Sequence, residues 1–244
     1  MSPKDFNSRP ITSTSIAGRG ETEDHAAFFR TMTHDLRAST RAIAETAHWL
    51  SEDLGPMAGD LSPDAPELLD LLGRHARRLD GMIGDISAYA KAGENGPDEH
   101  ISIEAALAPV LAEFQKKSGL PVISEIKADR LWASEDEFAN LLNCLLSNVA
   151  KHAEASEIRL RIENGDGQTR VIISDNGVGV PERFVERIFE PFVTLKSRDD
   201  CEGSGLGLAI ARRICRARGG EILCRPDPQT GGARFVCTFR ARKG

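Results

Sequence analysis

An acidic residue seated in a glycine turn, Asp175-Asn176-Gly177-Val178-Gly179, is followed downstream by a second glycine run, Gly203-Ser204-Gly205-Leu206-Gly207. No other feature of the chain limits its fold so strongly. The second run opens directly into an apolar helical pattern. Glycines let backbone N–H groups approach a phosphate chain closely, and a helix N-terminus adds a dipole that favours anions. A carboxylate can accept a hydrogen bond from an exocyclic amine such as that of adenine. Either segment alone is an ordinary turn. In this order they predict a nucleotide held at its base by Asp175, with Gly177 and Gly179 shaping the turn, and at its phosphates by Gly203, Gly205, Leu206 and Gly207.

The surrounding pattern predicts two kinds of architecture in one chain. Residues 26–54 carry apolar positions at alternating steps of three and four: Phe29, Met32, Leu36, Ile43, Ala47, Leu50 and Leu54. Residues 67–91 repeat the theme with Leu69, Leu72, Ala76, Leu79, Ile83, Ile86 and Ala90. Such stripes belong to helices that pack in a bundle. Gly55 to Pro66 is a turn-rich connection, so the two helices form an antiparallel hairpin. One hairpin has too little core to stand alone, and pairing with a second copy into a four-helix bundle is expected.

Gly93-Glu94-Asn95-Gly96-Pro97 breaks the second helix, and the texture beyond it becomes α/β. A short strand and helix are expected over 101–114 and a strand over 121–126. A helix is expected over 136–152. Hairpins are expected from 158–162 with 170–174 and from 221–225 with 233–239, with a helix over 206–216 between them. The expected division is an arm over 1–25, a helical hairpin over 26–92, a linker over 93–98 and an α/β sandwich with a mixed sheet over 99–244.

Composition removes several function classes. The chain has 244 residues and a formal net charge of −6, so a nucleic-acid-binding surface is not suggested. No apolar run approaches the roughly 18 residues of a membrane span. The first 24 residues are polar and read as a disordered arm, not a secretory signal. Five cysteines without paired spacing argue against a zinc site or disulfide framework and for reduced thiols in cytosol.

The helix over 136–152 ends in Asn148-Val149-Ala150-Lys151-His152, with Asn148 and Lys151 three apart on one face. An amide oxygen can hold Mg²⁺ beside phosphate, and a lysine one turn on can neutralise phosphate. The same stretch can equally be a solvated polar face. Phe189-Glu190-Pro191-Phe192 lies between the glycine segments and suits either a core plug or the anchor of a flap carrying Lys196. On the hairpin, Met32-Thr33-His34-Asp35-Leu36-Arg37 points His34 outward. A neutral imidazole is a competent nucleophile, and Asp35 can hold one ring N–H.

Together these segments resemble the bacterial sensor histidine kinases. His34-Asp35-Leu36-Arg37 is similar to that family's H box and Asn148–His152 to its N box. Asp175–Gly179 resembles its G1 box, Phe189–Phe192 its F box and Gly203–Leu208 its G2 box. The run from His34 through Arg41-Ala42-Ile43-Ala44 is similar to the phytochrome-like branch. The resemblance implies a dimerisation and phosphotransfer hairpin joined to a Bergerat-type ATPase domain. It implies ATP and Mg²⁺ as cofactors, His34 and Asp35 as catalytic residues, and Asn148 as the metal residue. It places Lys151, His152, Phe192 and Lys196 at the nucleotide, and it implies a response-regulator receiver domain as acceptor. Only about 25 residues precede the first helix, so a separate sensor or input protein is expected.

Four positions depart from the family pattern. Ser39-Thr40 stand where Pro-Leu is usual, which predicts a straighter first helix with Ser39 softening its inward stripe. Ala38 stands where phosphatase-competent members carry Thr or Asn. Cys144 stands one turn before Asn148, where Asn or Glu is common. A thiol is a poor magnesium ligand, so Cys144 marks either slow turnover or an ordinary core residue. The alternative function is therefore a catalytically weak or inactive dimeric phosphotransfer or adaptor protein that binds response regulators.

Overall fold

The structure, a computed structural model, describes residues 36–54, 57, 64–94, 99–195 and 204–241. His34, Asp35, Lys196 and Gly203 lie outside the described residues, as do the 1–25 arm and most of the linker. Among the described residues no helix is long and apolar enough to cross a membrane.

Helix α1 is described over 36–54, and α2 runs from Ala65 to Lys91. Proline in the first turn of α2 starts it, since its missing N–H would lack a partner there anyway. Ala47 of α1 and Ala76 and Ile83 of α2 are buried. The large residues of both stripes, among them Leu36, Ile43, Leu50, Leu72 and Leu79, remain exposed in one chain. Ser39 is likewise exposed in one chain, and Thr40 is the buried neighbour, with its hydroxyl donating to Leu36 O at 2.9 Å. A threonine can bury because its hydroxyl bonds back to the preceding turn.

Beyond the helices come β1 (Glu99–Ser102), α3 (Ile103–Ser118), β2 (Val122–Ile126), β3 (Arg130–Ala133) and α4 (Glu135–His152). Then follow β4 (Ile158–Gly165), β5 (Gln168–Asp175), two short 3₁₀ turns, α5 (Gly207–Ala217), β6 (Ile222–Pro226) and β7 (Ala233–Arg240). The main sheet has the order β2-β4-β5-β7-β6, with β2 and β4 parallel and the remaining pairs antiparallel. It is the mixed sheet expected. β3 was not anticipated; it pairs with β1 in a separate two-stranded sheet, where His100 meets Trp132 edge-on at 4.7 Å.

Period-two burial gives the sheet one apolar face. Ile158, Leu160 and Ile162 alternate with exposed Arg159 and Arg161 on β4, and Phe235, Cys237 and Phe239 continue the face on β7. Helix α4 covers it with Phe138, Leu141, Leu142, Leu145, Leu146 and Val149, all buried at helical spacing. Its first turn holds Glu135, Asp136 and Glu137 and its last turn Lys151 and His152, so both ends match the helix dipole. Helix α5 joins the same core through Ile210, Ala211, Ile214 and Cys215.

The two helices also meet away from the core. Buried Arg218, just past α5, donates to Glu137 at the start of α4, with Nε at 2.9 Å. Burial lifts the Glu137 carboxyl above its ordinary range, opposed by a hydrogen bond from the backbone of Gly93. Gly93 itself has φ +78°, and a Cβ there would lie 2.8 Å from Ala217 Cβ. The break after α2 is thus seated against the start of α4 and the end of α5.

Candidate nucleotide site

One face of α4 builds the core; the opposite face builds a pocket. Asn140, Cys144, Ser147, Asn148 and Lys151, each three or four residues from another of the group, share one helical stripe and line a cavity of about 560 Å³. Across it stand Asp175 at the end of β5, Gly179 and Val180 beyond it, and Ser204, Gly205 and Gly207 at the start of α5. Ala233 and Phe235 of β7 form the floor.

Asp175 is buried, and its orientation is imposed by the backbone around it. Its Oδ1 accepts from Gly177 N–H at 2.9 Å and from Ala233 N–H at 3.1 Å. Its main-chain carbonyl accepts from the Thr230 hydroxyl at 2.8 Å. Asn176 points away and serves the scaffold: its Oδ1 accepts from the N–H groups of Ser156 and Glu157, at 2.9 and 3.1 Å. Gly177 permits the close approach that joins this turn to α4, because a Cβ there would fall 1.9 Å from Ala153 O. That same carbonyl accepts from Val178 N–H at 2.9 Å.

The 227–232 loop clamps Asp175 and is itself held by a carboxylate. Asp227 Oδ1 accepts from Gln229 and Thr230 N–H groups at 2.8 and 3.1 Å, and Oδ2 accepts from Arg234 Nη2 at 2.8 Å. Burial alone would raise this carboxyl. The backbone donors, Ser174 and Arg234 outweigh it and lower the pKa to about 2 from an ordinary 3.8. A depressed carboxylate contributes stability that is complete above the unfolded pKa and lost as pH falls through the folded one. Unfolding midpoints should therefore decline between pH 4 and 2, by the equivalent of about 2 kcal/mol from this group. In Asp227→Asn that share of the acid dependence should vanish while stability at pH 7 drops by a similar amount, as followed by urea unfolding across pH.

The phosphate-type loop is ordered by Ser204, whose hydroxyl oxygen accepts from Leu206 N–H at 3.1 Å. Gly205 has φ +73°, and a Cβ would meet the Phe192 carbonyl carbon at 2.8 Å. Phe192 N–H donates to Gly205 O at 3.0 Å. The Phe192 side chain is exposed and does not line the cavity; its backbone braces the glycine loop. Phe189 is the buried plug, under the Arg212 guanidinium at 5.6 Å. Among the other expected residues, Asn148, Lys151, His152, Asp175, Gly179, Gly205 and Gly207 line the cavity together. Gly177 and Leu206 stand behind it as supports.

Cys144 faces the cavity, and its thiol is pushed up to about 12 by burial and by the nearby Asp85 carboxylate. It stays protonated near neutrality, so it offers no thiolate ligand. Among the described residues no three His, Cys, Asp or Glu side chains cluster as a metal site. The donor set suits Mg²⁺ only in the manner common for that ion, with few protein oxygens and the remainder from phosphate and water. Sequence reasoning missed Asn140, Asn143 and Ser147, although their spacing from Asn148 was available. It also missed Asp85 and Ala88 of α2, for which no local signal existed.

Residues 133–243 match the family described as histidine kinase-, DNA gyrase B- and HSP90-like ATPase. The sensor histidine kinase AruS of Pseudomonas aeruginosa is 28% identical over 216 residues, covering 80% of this chain and 20% of AruS. The phytochrome-like protein Cph1 of Synechocystis is 27% identical over 183 residues, covering 72% of this chain and 24% of Cph1. The chain thus spans about a quarter or less of these two relatives. Full-length ShkA, solved in complex with AMPPNP, superposes with a TM-score of 0.66 at 22% identity, over 90% of this chain and 47% of ShkA. That superposition places the helical segment and the sandwich in a known fold.

Proposed function

Residues 133–243 form a domain of the histidine kinase-, DNA gyrase B- and HSP90-like ATPase family, in a chain similar to sensor histidine kinases, and from that premise we propose an ATP-dependent histidine kinase. The carrying observation is the convergence of buried Asp175, the polar stripe of α4 and the N-terminus of α5 on one cavity. A volume of about 560 Å³ suits a nucleotide-sized ligand.

In this reading Asp175 accepts from the adenine amine and selects the base. Asn148 holds Mg²⁺, while Lys151, His152 and Lys196 neutralise phosphate charge. The backbone N–H groups of 203–207 cradle the phosphate chain at the positive end of α5. ATP supplies the transferable phosphoryl group. His34 is the nucleophile, with Asp35 holding one ring N–H so that the other nitrogen attacks. Phosphoryl transfer depends chiefly on positioning and charge stabilisation, so the 93–98 linker must bring the 99–244 unit to the 26–92 hairpin. The phosphoryl group then passes to an aspartate of a separate response-regulator receiver domain. The exposed leucines of α1 and α2 favour a homodimer whose hairpins close into a four-helix bundle. The protein is read as cytoplasmic, receiving its input from a separate sensor.

Cys144 favours a second reading. A protonated thiol where an oxygen ligand would help hold Mg²⁺ suits a weak kinase that works as a dimeric adaptor for response regulators. Incubation with γ-labelled ATP and Mg²⁺ separates the two. The wild type should gain acid-labile, base-stable label that is absent in His34→Ala and reduced at least about hundredfold in Asn148→Ala. Wild type without label, yet still accepting phosphate from a regulator, would replace the kinase by the adaptor.

A further inference from the structure

The last turns of α2 carry a carboxylate into the pocket. Asp85 and Ala88 line it, and Tyr89 and Ala92 continue the same helix face at steps of three and four. This face is docked. Ala92 is buried, Tyr89 packs on the main core under the Arg213 guanidinium at 5.2 Å, and Asp85 Oδ2 accepts from the Ser204 hydroxyl at 2.6 Å. Ser204 is the residue whose oxygen orders the glycine loop by accepting from Leu206 N–H. A short bond from a neutral hydroxyl to a carboxylate is among the stronger kinds.

A carboxylate on that hydroxyl presents two anionic oxygens to a loop built to meet phosphate oxygens. Two anions cannot share the place: like charges a few ångströms apart repel, and only one of them can accept the Ser204 proton. We infer that Asp85 stands in for a nucleotide phosphate oxygen on Ser204, so that binding of a nucleoside triphosphate and docking of α2 exclude one another. A diphosphate, one phosphoryl group shorter and less charged, competes less. Asp85 is thereby a specificity-determining residue that biases the pocket toward the diphosphate while α2 is docked. Because coupling is reciprocal, the triphosphate loosens α2 by the same factor by which docked α2 weakens the triphosphate.

The inference rests on the nucleotide reading of the pocket, and calorimetric titration of the full chain with ATP and with ADP, each with and without Mg²⁺, tests the two separately. Asp85→Asn keeps an acceptor for Ser204 and removes the charge. It should raise ATP affinity about tenfold and ADP affinity less than about twofold. Tyr89→Ala, which loosens the dock without touching the loop, should raise the ATP-to-ADP affinity ratio in the same direction. Hydrogen exchange of residues 83–92 should quicken with ATP and not with ADP. An unchanged affinity ratio in Asp85→Asn would overturn the role of Asp85 and leave the pocket standing. ATP affinity that falls in Asp85→Asn only when Mg²⁺ is present would also overturn it, making the carboxylate a metal ligand. Wild type that binds neither nucleotide would remove the pocket reading and this inference with it.

Discussion

Asp175→Asn should lower ATP affinity by at least about hundredfold while leaving the unfolding midpoint almost unmoved. The separation follows from how the carboxylate is held. One oxygen is fixed by the N–H groups of Gly177 and Ala233, and an asparagine oxygen can occupy the same place. The fold therefore keeps its contacts. The other carboxylate oxygen becomes an NH₂ group, so the pocket offers a donor where the adenine amine also brings donors. A buried site that cannot satisfy its ligand's polar groups forfeits both the hydrogen bond and the desolvation cost of the groups left unpaired. Calorimetric titration with ATP beside urea unfolding measures both halves. A loss of affinity matched by a loss of stability would reduce Asp175 to a scaffold residue.

Gly177→Ala should do the reverse and damage the scaffold first. Its Cβ would sit 1.9 Å from Ala153 O and 2.9 Å from Ala153 Cβ. No side-chain rotation relieves a clash with backbone, so the turn must move off the end of α4, breaking the bond from Val178 N–H to Ala153 O. Expected destabilisation is about 2–4 kcal/mol, with ATP binding lost because Asp175 and the α4 stripe part. Gly167→Ala is the control. It has φ +70° with open space around its Cβ, so it should cost only the left-handed strain, about 1–2 kcal/mol, and spare binding. A cost at Gly177 no larger than that at Gly167 would mean that the turn gives way and that close approach does not fix Gly177.

Much of this was legible in the sequence because the chemistry lies in local patterns. The glycine segments declare themselves since only glycine allows the approaches at 177 and 205. The strands of the main sheet declare themselves through alternation, as in Ile158, Leu160 and Ile162. Failures follow equally physical lines. β3 offers only Arg-Leu-Trp-Ala, too short for any period to emerge, and it exists because β1 pairs with it. The hydrogen bond from Phe192 N–H to Gly205 O joins two segments that no local pattern connects. Asp85 reaches Ser204 across a separation of 119 residues, a contact created by docking and invisible to any local window.

The seat of Gly93 against Glu137 and Ala217 has a mechanical consequence. Glu137 is one turn into α4 and Ala217 closes α5, while the far ends of the same two helices, at Asn148 to His152 and at Gly205 to Gly207, form the pocket walls. The joint and the cavity are therefore opposite ends of two stiff rods, the longer spanning 18 residues or roughly 27 Å. A rotation at this seat would displace the far ends of both helices, where the pocket walls stand, alongside the direct contact of Asp85 with Ser204. The buried Arg218–Glu137 pair acts as the cross-brace that keeps both rods turning together.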